Sequence, residues 1–289
     1  MNATVKTIVL LLFMLMLFGI IGLIVGEFVL GDWMTSMIIF LSIAAVINIF
    51  VYFMSSKIVL WRYKAKIVSS QEAPRLHKIV QEICLKADLP MPRIAIVNMA
   101  TPNAFATGRN KNNAVVAATT GLLDILDDDE LKGVLAHEMA HVKDRDILVM
   151  SIAATIAGAI SIAARSLWWG SLGGRRERGS EWIILVAMIT VPLAAMFLQL
   201  GISRGREYFA DREGALMIQK PMALARALAK LEKGNKRRPM ETGNPASASI
   251  FIVNPFRGQG VLTLFSTHPP IEKRIQKLEE LSQTTGYIG

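Results

Sequence analysis

The chain has 289 residues, of which 52% are hydrophobic and only 19% charged, with a formal net charge of +9. Such a composition is too apolar for an ordinary soluble protein and points to a membrane class. Many of the cations lie close to the ends of apolar runs, which argues against a nucleic-acid surface. The single cysteine, Cys84, excludes an intramolecular disulfide and a thiolate-based zinc site.

Val5 to Leu30 carries only Lys6 and Glu27 as charges, and Trp33 to Ser56 carries none. Each run is long enough to cross a hydrocarbon core of ~30 Å at about 1.5 Å per residue. The first is longer than the apolar part of a signal sequence and shows no obvious cleavage site before Glu27, so a retained anchor is expected. Lys57, Arg62, Lys64 and Lys66 follow the second run, whereas the connection between the runs holds Glu27 and Asp32 and no cation. Positive charge on the inner side then places the N-terminus and the segment after Ser56 in the cytoplasm.

A water-soluble stretch, 57–146, comes next. "SQEAPRLHKIVQEICLKADLP" predicts a helix that Pro90 ends, with Leu76, Ile79, Val80, Ile83 and Cys84 on its buried face. "PRIAIVNM", "NAFATG" and "NNAVVAAT" read as short strands, and Gly108-Arg109 with the asparagines after it as a turn, so a three-stranded antiparallel sheet is expected. Asp127 and Glu130 form a capping-box pattern that opens a helix over "DDDELKGVLAHEMAHVKDRD". That helix is expected to continue into a third apolar run, Ile147 to Leu167, with a fourth at Trp182 to Ile202. The connection between them holds Arg175, Arg176 and Arg178, which is basic where a four-span topology puts the outside. Two helices follow, then a Gly-, Asn- and Pro-rich loop or lid over 234–266, and "HPPIEKRIQKLEELSQ" closes the chain as a helix.

His137 and His141 are four residues apart, so on a helix both imidazoles project from one face and can share an ion. Zinc takes neutral nitrogen ligands and leaves a position open for water, whose pKa it lowers to about 7. Glu138, beside the first His, is placed to take a proton as general base. A third ligand comes from "SRGREYFADRE", where Glu207 and Asp211 share a helical face: Glu207 as ligand, Asp211 as a carboxylate behind a ligating imidazole. Runs three and four form a hairpin that returns residue 207 to the side of residue 141.

"NAFATGR", "HEMAH", "SRGREYFAD" and "THPPIEKRI", in that order and together with the apolar runs, resemble the HtpX-type membrane zinc metalloproteases, relatives of the CAAX prenyl proteases. The resemblance covers essentially the whole chain. It implies a zinc endopeptidase of the bacterial cytoplasmic (inner) membrane, with its active site facing the cytoplasm. Its substrates would be damaged or misfolded membrane proteins, in stress-response quality control. It implies one zinc ion on His137, His141 and Glu207, with Glu138 as the base.

The expected fold is a mainly α membrane protein with four transmembrane helices and a cytoplasmic, zincin-like α+β catalytic domain built on a small antiparallel sheet. Residues 1–56 hold two spans, 57–146 and 203–289 the two parts of the catalytic domain, and 147–202 a transmembrane hairpin. "NAFATG" is expected to be an edge strand that pairs with an extended substrate, through Asn103 and Ala104. His268 and Arg274, on either side of a Pro-Pro turn, are candidate donors to the oxyanion of a tetrahedral intermediate. Partners are protein substrates and the lipid bilayer, with no nucleic acid. The alternatives are a scaffold or holdase with a structural metal, which would need a fourth protein ligand, and a CAAX-type processing protease. An intramembrane protease is disfavoured by the charges flanking the motif.

Overall fold

Two long apolar helices open the chain. The computed structural model describes residues 3–156, 204–240, 250–255 and 269–287. Helix α1 (Ala3–Val25) passes through a single π-helical stretch, Gly26–Leu30, to α2 (Trp33–Arg62), whose first turn is capped by the Asp32 side chain accepting from the Thr35 N–H. The pair is joined at mid-depth by the Asn48 amide, which donates to the Leu11 carbonyl at 3.1 Å. Leu12, Met16, Ile20, Val46, Ile49 and Phe50 remain exposed on the outer faces, as lipid-facing side chains do. Among the described residues, these are the two helices long and apolar enough to cross a membrane.

At 30 residues α2 is about 45 Å long, well beyond a ~30 Å hydrocarbon core. Its last turns pack on the rest of the protein: Val59 and Tyr63 are buried against Phe105 and Phe251. Tyr63, Phe105 and Phe251 form an aromatic cluster with ring centroids 5.0 to 5.8 Å apart.

The sheet has four strands: β1 (Lys66–Ile67), β2 (Arg93–Val97), β3 (Ala104–Thr107) and β4 (Val115–Thr119), in the order β1-β2-β4-β3. This corrects the expected antiparallel triplet. The chain reverses direction at each step, but β4 inserts between β2 and β3, so β2 and β4 are parallel neighbours while β3 is antiparallel to β4. "VVAAT" is buried on both faces, as a central strand requires. Val115 and Ala117 face the α2 side, and Val116 and Ala118 face the helices.

On that helical side lie α3 (Pro74–Ala87), α5 (Asp128–Lys143), α7 (Arg204–Ile218), α8 (Pro221–Arg237) and α9 (Ile271–Thr285); α4 (Thr120–Ile125) links β4 to α5. Helix α3 buries the five expected residues, Leu76, Ile79, Val80, Ile83 and Cys84. Burial pushes the Cys84 thiol up to about 11, which keeps it protonated and unreactive.

The expected continuous helix from the soluble part into a third span is broken. Helix α5 ends at Lys143, Arg145 takes a left-handed conformation (φ 61°), and α6 (Asp146–Ile156) starts afresh. Its Leu148, Ile152 and Ile156 pack with Leu10, Met14 and Val51 of the first two helices. The remainder of the expected hairpin, with the fourth span and Arg175, Arg176 and Arg178, lies outside the described residues, as do His268 and most of the expected lid.

Candidate metal centre

The capping box is present: the Asp127 side chain accepts from the Glu130 N–H, and the Glu130 carboxylate accepts from the Asp127 N–H. Lys230 of α8 donates to that carboxylate at 2.7 Å. So anchored, α5 carries His137, Glu138 and His141 into the interior, where each is at most 2% exposed. Helix α7 crosses it with Glu207, Asp211 and Gly214 on the facing side. A Cβ on Gly214 would sit 2.7 Å from the His137 backbone nitrogen, so glycine is what lets the two helices meet at the first histidine.

His137 Nε2 lies 3.8 Å from one oxygen of Glu207, and His141 Nε2 lies 3.6 Å from the other. The three ligand atoms are all within 4.8 Å of one another, and among the described residues they converge as a metal-binding group. The far side of each ring fits the same reading. His137 Nδ1 faces Asp211 Oδ1 at 2.9 Å and His141 Nδ1 faces Asp146 Oδ2 at 3.6 Å. The carboxylate close behind Nδ1 of His137 orients that ring and leaves Nε2 for an ion, whereas Asp146 acts on His141 through its charge. Burial lowers the His137 pKa to about 4 against the pull of Asp211, so the imidazole is neutral, the ligating form. For His141, burial acts in the same direction, but Asp146, Glu207 and Glu138 outweigh it and raise the value.

Helix α5 packs against β3, and the backbone N–H of Ala106 pulls the Glu138 pKa down. Burial, joined by the charge of Glu207, pushes Glu138 up to about 7, although His141, the Ala106 N–H and Arg274 pull the other way. A carboxylate at that value can both accept and return a proton at neutral pH.

Arg274, expected as an oxyanion donor, sits in a different arrangement. It is 0% exposed and clamps Asp211 from Nε and Nη2 at 2.7 Å each, while Nη1 donates to the Ile252 carbonyl at 2.7 Å. Its Nη1 is 3.8 Å from Glu207. Burial works against ionisation of Asp211, but Arg274 outweighs it and holds the carboxyl below the usual range. Asn103 and Ala104 are also 0% exposed, at the start of β3.

Sequence reasoning missed Asp146 and its partner Arg206, whose guanidinium pairs with it across α6 and α7. Asp146 is five residues after His141, and an unbroken helix would have turned it away. Its presence among the charges of "KDRD" was the signal, but only the left-handed Arg145 aims it at the ring.

A buried His-His-Glu group with a neighbouring carboxylate, set beside an edge strand, is the arrangement of a metalloprotease. Residues 70–282 match the model of peptidase family M48, and the chain belongs to that family. It is 50% identical over 271 residues to a Protease HtpX homolog of Pyrococcus furiosus, covering 92% of this chain and 94% of that one. Over 292 residues it is 45% identical to a Protease HtpX homolog of Persephonella marina, covering 99% of each chain. Among solved structures, Ste24p of S. mikatae superposes with a TM-score of 0.50 at 18% identity. That match covers 92% of this chain and 62% of the Ste24p chain, and it concerns the fold.

Proposed function

We propose that the chain is a zinc-dependent endopeptidase of the cytoplasmic membrane that cleaves cytoplasmic segments of damaged membrane proteins in quality control. The observation that carries the catalytic reading is Glu138: buried beside the two histidines on α5 and raised to about 7. His137, His141 and Glu207 would hold the ion, which supplies Lewis acidity when bound.

The chain's own residues do the rest. Glu138 takes a proton from the attacking water and returns it to the departing amide nitrogen. Asp211 and Asp146 keep the two imidazoles oriented, and Arg274 and Arg206 keep those carboxylates in place. Arg274 on this reading is a positioning residue. Asn103 and Ala104 bind the substrate backbone, and His268 donates to the oxyanion. The length of α2 supports the membrane-surface reading, since 30 residues exceed what a hydrocarbon core needs and its last turns pack against Phe105 of the sheet. A protein substrate anchored in the same bilayer then presents its loops at the height of the site.

The test is cleavage by the purified, zinc-loaded protein in vesicles. A co-reconstituted, destabilised membrane protein should be cut in its cytoplasmic loops faster than its stable parent. Equal rates for both would remove the quality-control reading while leaving the protease.

A further inference from the structure

The edge of β3 is already occupied. In this strand the Asn103 carbonyl accepts from Thr119 of β4, so by alternation Ala104 and Ala106 turn their backbone groups away from the sheet. Helix α5, which carries the proposed base, packs against β3, and the Ala106 N–H lowers the Glu138 pKa, so this outward edge lies toward Glu138. The Ala104 carbonyl, one step along the same edge, accepts the N–H of Ile252 at 3.3 Å. Beside it the Asn103 carboxamide grips one residue of the same segment at both ends. Its Nδ2 donates to the Val253 carbonyl at 2.6 Å, and its Oδ1 lies 3.5 Å from the Val253 N–H. Donor and acceptor are both spent on main chain. A carboxamide used in this way reads a peptide backbone whatever its side chains.

We propose that Ile250–Val253 is an internal occupant of a peptide-backbone site formed by Asn103 and Ala104, which an extended substrate displaces in order to bind. The segment is bent rather than extended, and it is held through both main chain and side chains. Phe251 packs edge-on against both Tyr63 and Phe105, with centroid distances of 5.0 and 5.6 Å, and Ile250 and Ile252 are 1% exposed. The Met240 N–H donates to the Pro255 carbonyl at 2.8 Å and ties the segment to the chain after α8. The Ile252 carbonyl accepts from Arg274, the residue that clamps Asp211 behind His137. Departure of the segment therefore frees an Arg274 N–H beside Glu207, and occupancy of the strand edge is coupled to the metal centre.

The inference rests on the peptide-cleaving reading above, and two experiments separate them. In the full-length, zinc-loaded Glu138→Gln protein, hydrogen exchange at Ile252 and Val253 is followed while an unfolded peptide is titrated to saturation, with binding read independently by fluorescence anisotropy. Exchange at these two amides should rise at least tenfold at saturation. Unchanged protection at saturating peptide overturns the proposal, whether or not the wild type cleaves.

In the second experiment, Ile252→Pro removes the N–H that reaches Ala104 and weakens the internal competitor. Losing one backbone hydrogen bond should lower KM about three- to tenfold, with kcat and zinc content unchanged. A KM that stays the same or rises in a folded, zinc-replete variant makes the segment structural. Failure of wild-type cleavage, by contrast, counts against the proposed function alone.

Discussion

Arg274 grips both carboxylate oxygens of Asp211 at 2.7 Å, and Asp211 in turn faces Nδ1 of His137 at 2.9 Å. The chain Arg274–Asp211–His137 ties α9 to α7 and α7 to α5, so the orientation of a proposed metal ligand depends on a helix that begins 134 residues later. Arg274→Gln should weaken zinc binding about 10–100-fold. It should also destabilise the fold by ~3–5 kcal/mol, because Asp211 is left as a buried unpaired charge. Chelator competition and thermal unfolding check this. A variant that keeps its zinc affinity and loses only kcat would restore the oxyanion role.

The second histidine has its own support. Asp146→Asn keeps the shape behind His141 but removes the charge that Arg206 pairs with. Zinc affinity is expected to fall about 10-fold, measured by the same competition. No change would mean that the 3.6 Å approach to the ring contributes nothing.

Two helical glycines make a paired test. A Cβ at Gly214 would meet the His137 backbone at 2.7 Å, whereas one at Gly133 would meet the Leu224 backbone of α8 at 2.9 Å. Both alanine variants should lose ~1–3 kcal/mol of stability from overpacking. Only Gly214→Ala should also lose zinc affinity, since only at that crossing do both helices carry proposed ligands, whereas the helix that Gly133 meets carries none. Equal zinc binding in the two variants would uncouple the α5–α7 crossing from the metal site.

How much of this was legible beforehand divides along physical lines. His137, Glu138 and His141 could be read from helical spacing alone, as could the buried face of α3 and the capping box at Asp127. The partnership of Glu207 with the histidines could be read from the topology of the chain. The parallel pairing of β2 and β4 could not, because alternation fixes which faces are buried and leaves strand order open. The break at Arg145 was equally invisible: a single left-handed non-glycine residue leaves no mark in composition or periodicity. Asp146 stayed hidden with it. The role of Arg274 needed the side chain's surroundings, since a buried clamp and an exposed oxyanion donor use the same residue type.

The end of α2 offers a prediction about stability rather than chemistry. Tyr63, 6% exposed, joins the spanning helix to Phe105 of β3 and to Phe251. Tyr63→Ala should cost ~3–5 kcal/mol, as truncations of buried aromatic residues do. It should also raise protease sensitivity between residues 57 and 73. Unaltered thermal stability would mean that the soluble part does not depend on its seat on α2.

The central claim is that Glu138 acts as base at a metal held by its neighbours. The most direct measurement is zinc content and peptide cleavage, side by side, in Glu138→Gln. The expected result is one zinc per chain, as in the wild type, with cleavage reduced by at least ~10². Near-normal turnover with zinc in place would contradict the account.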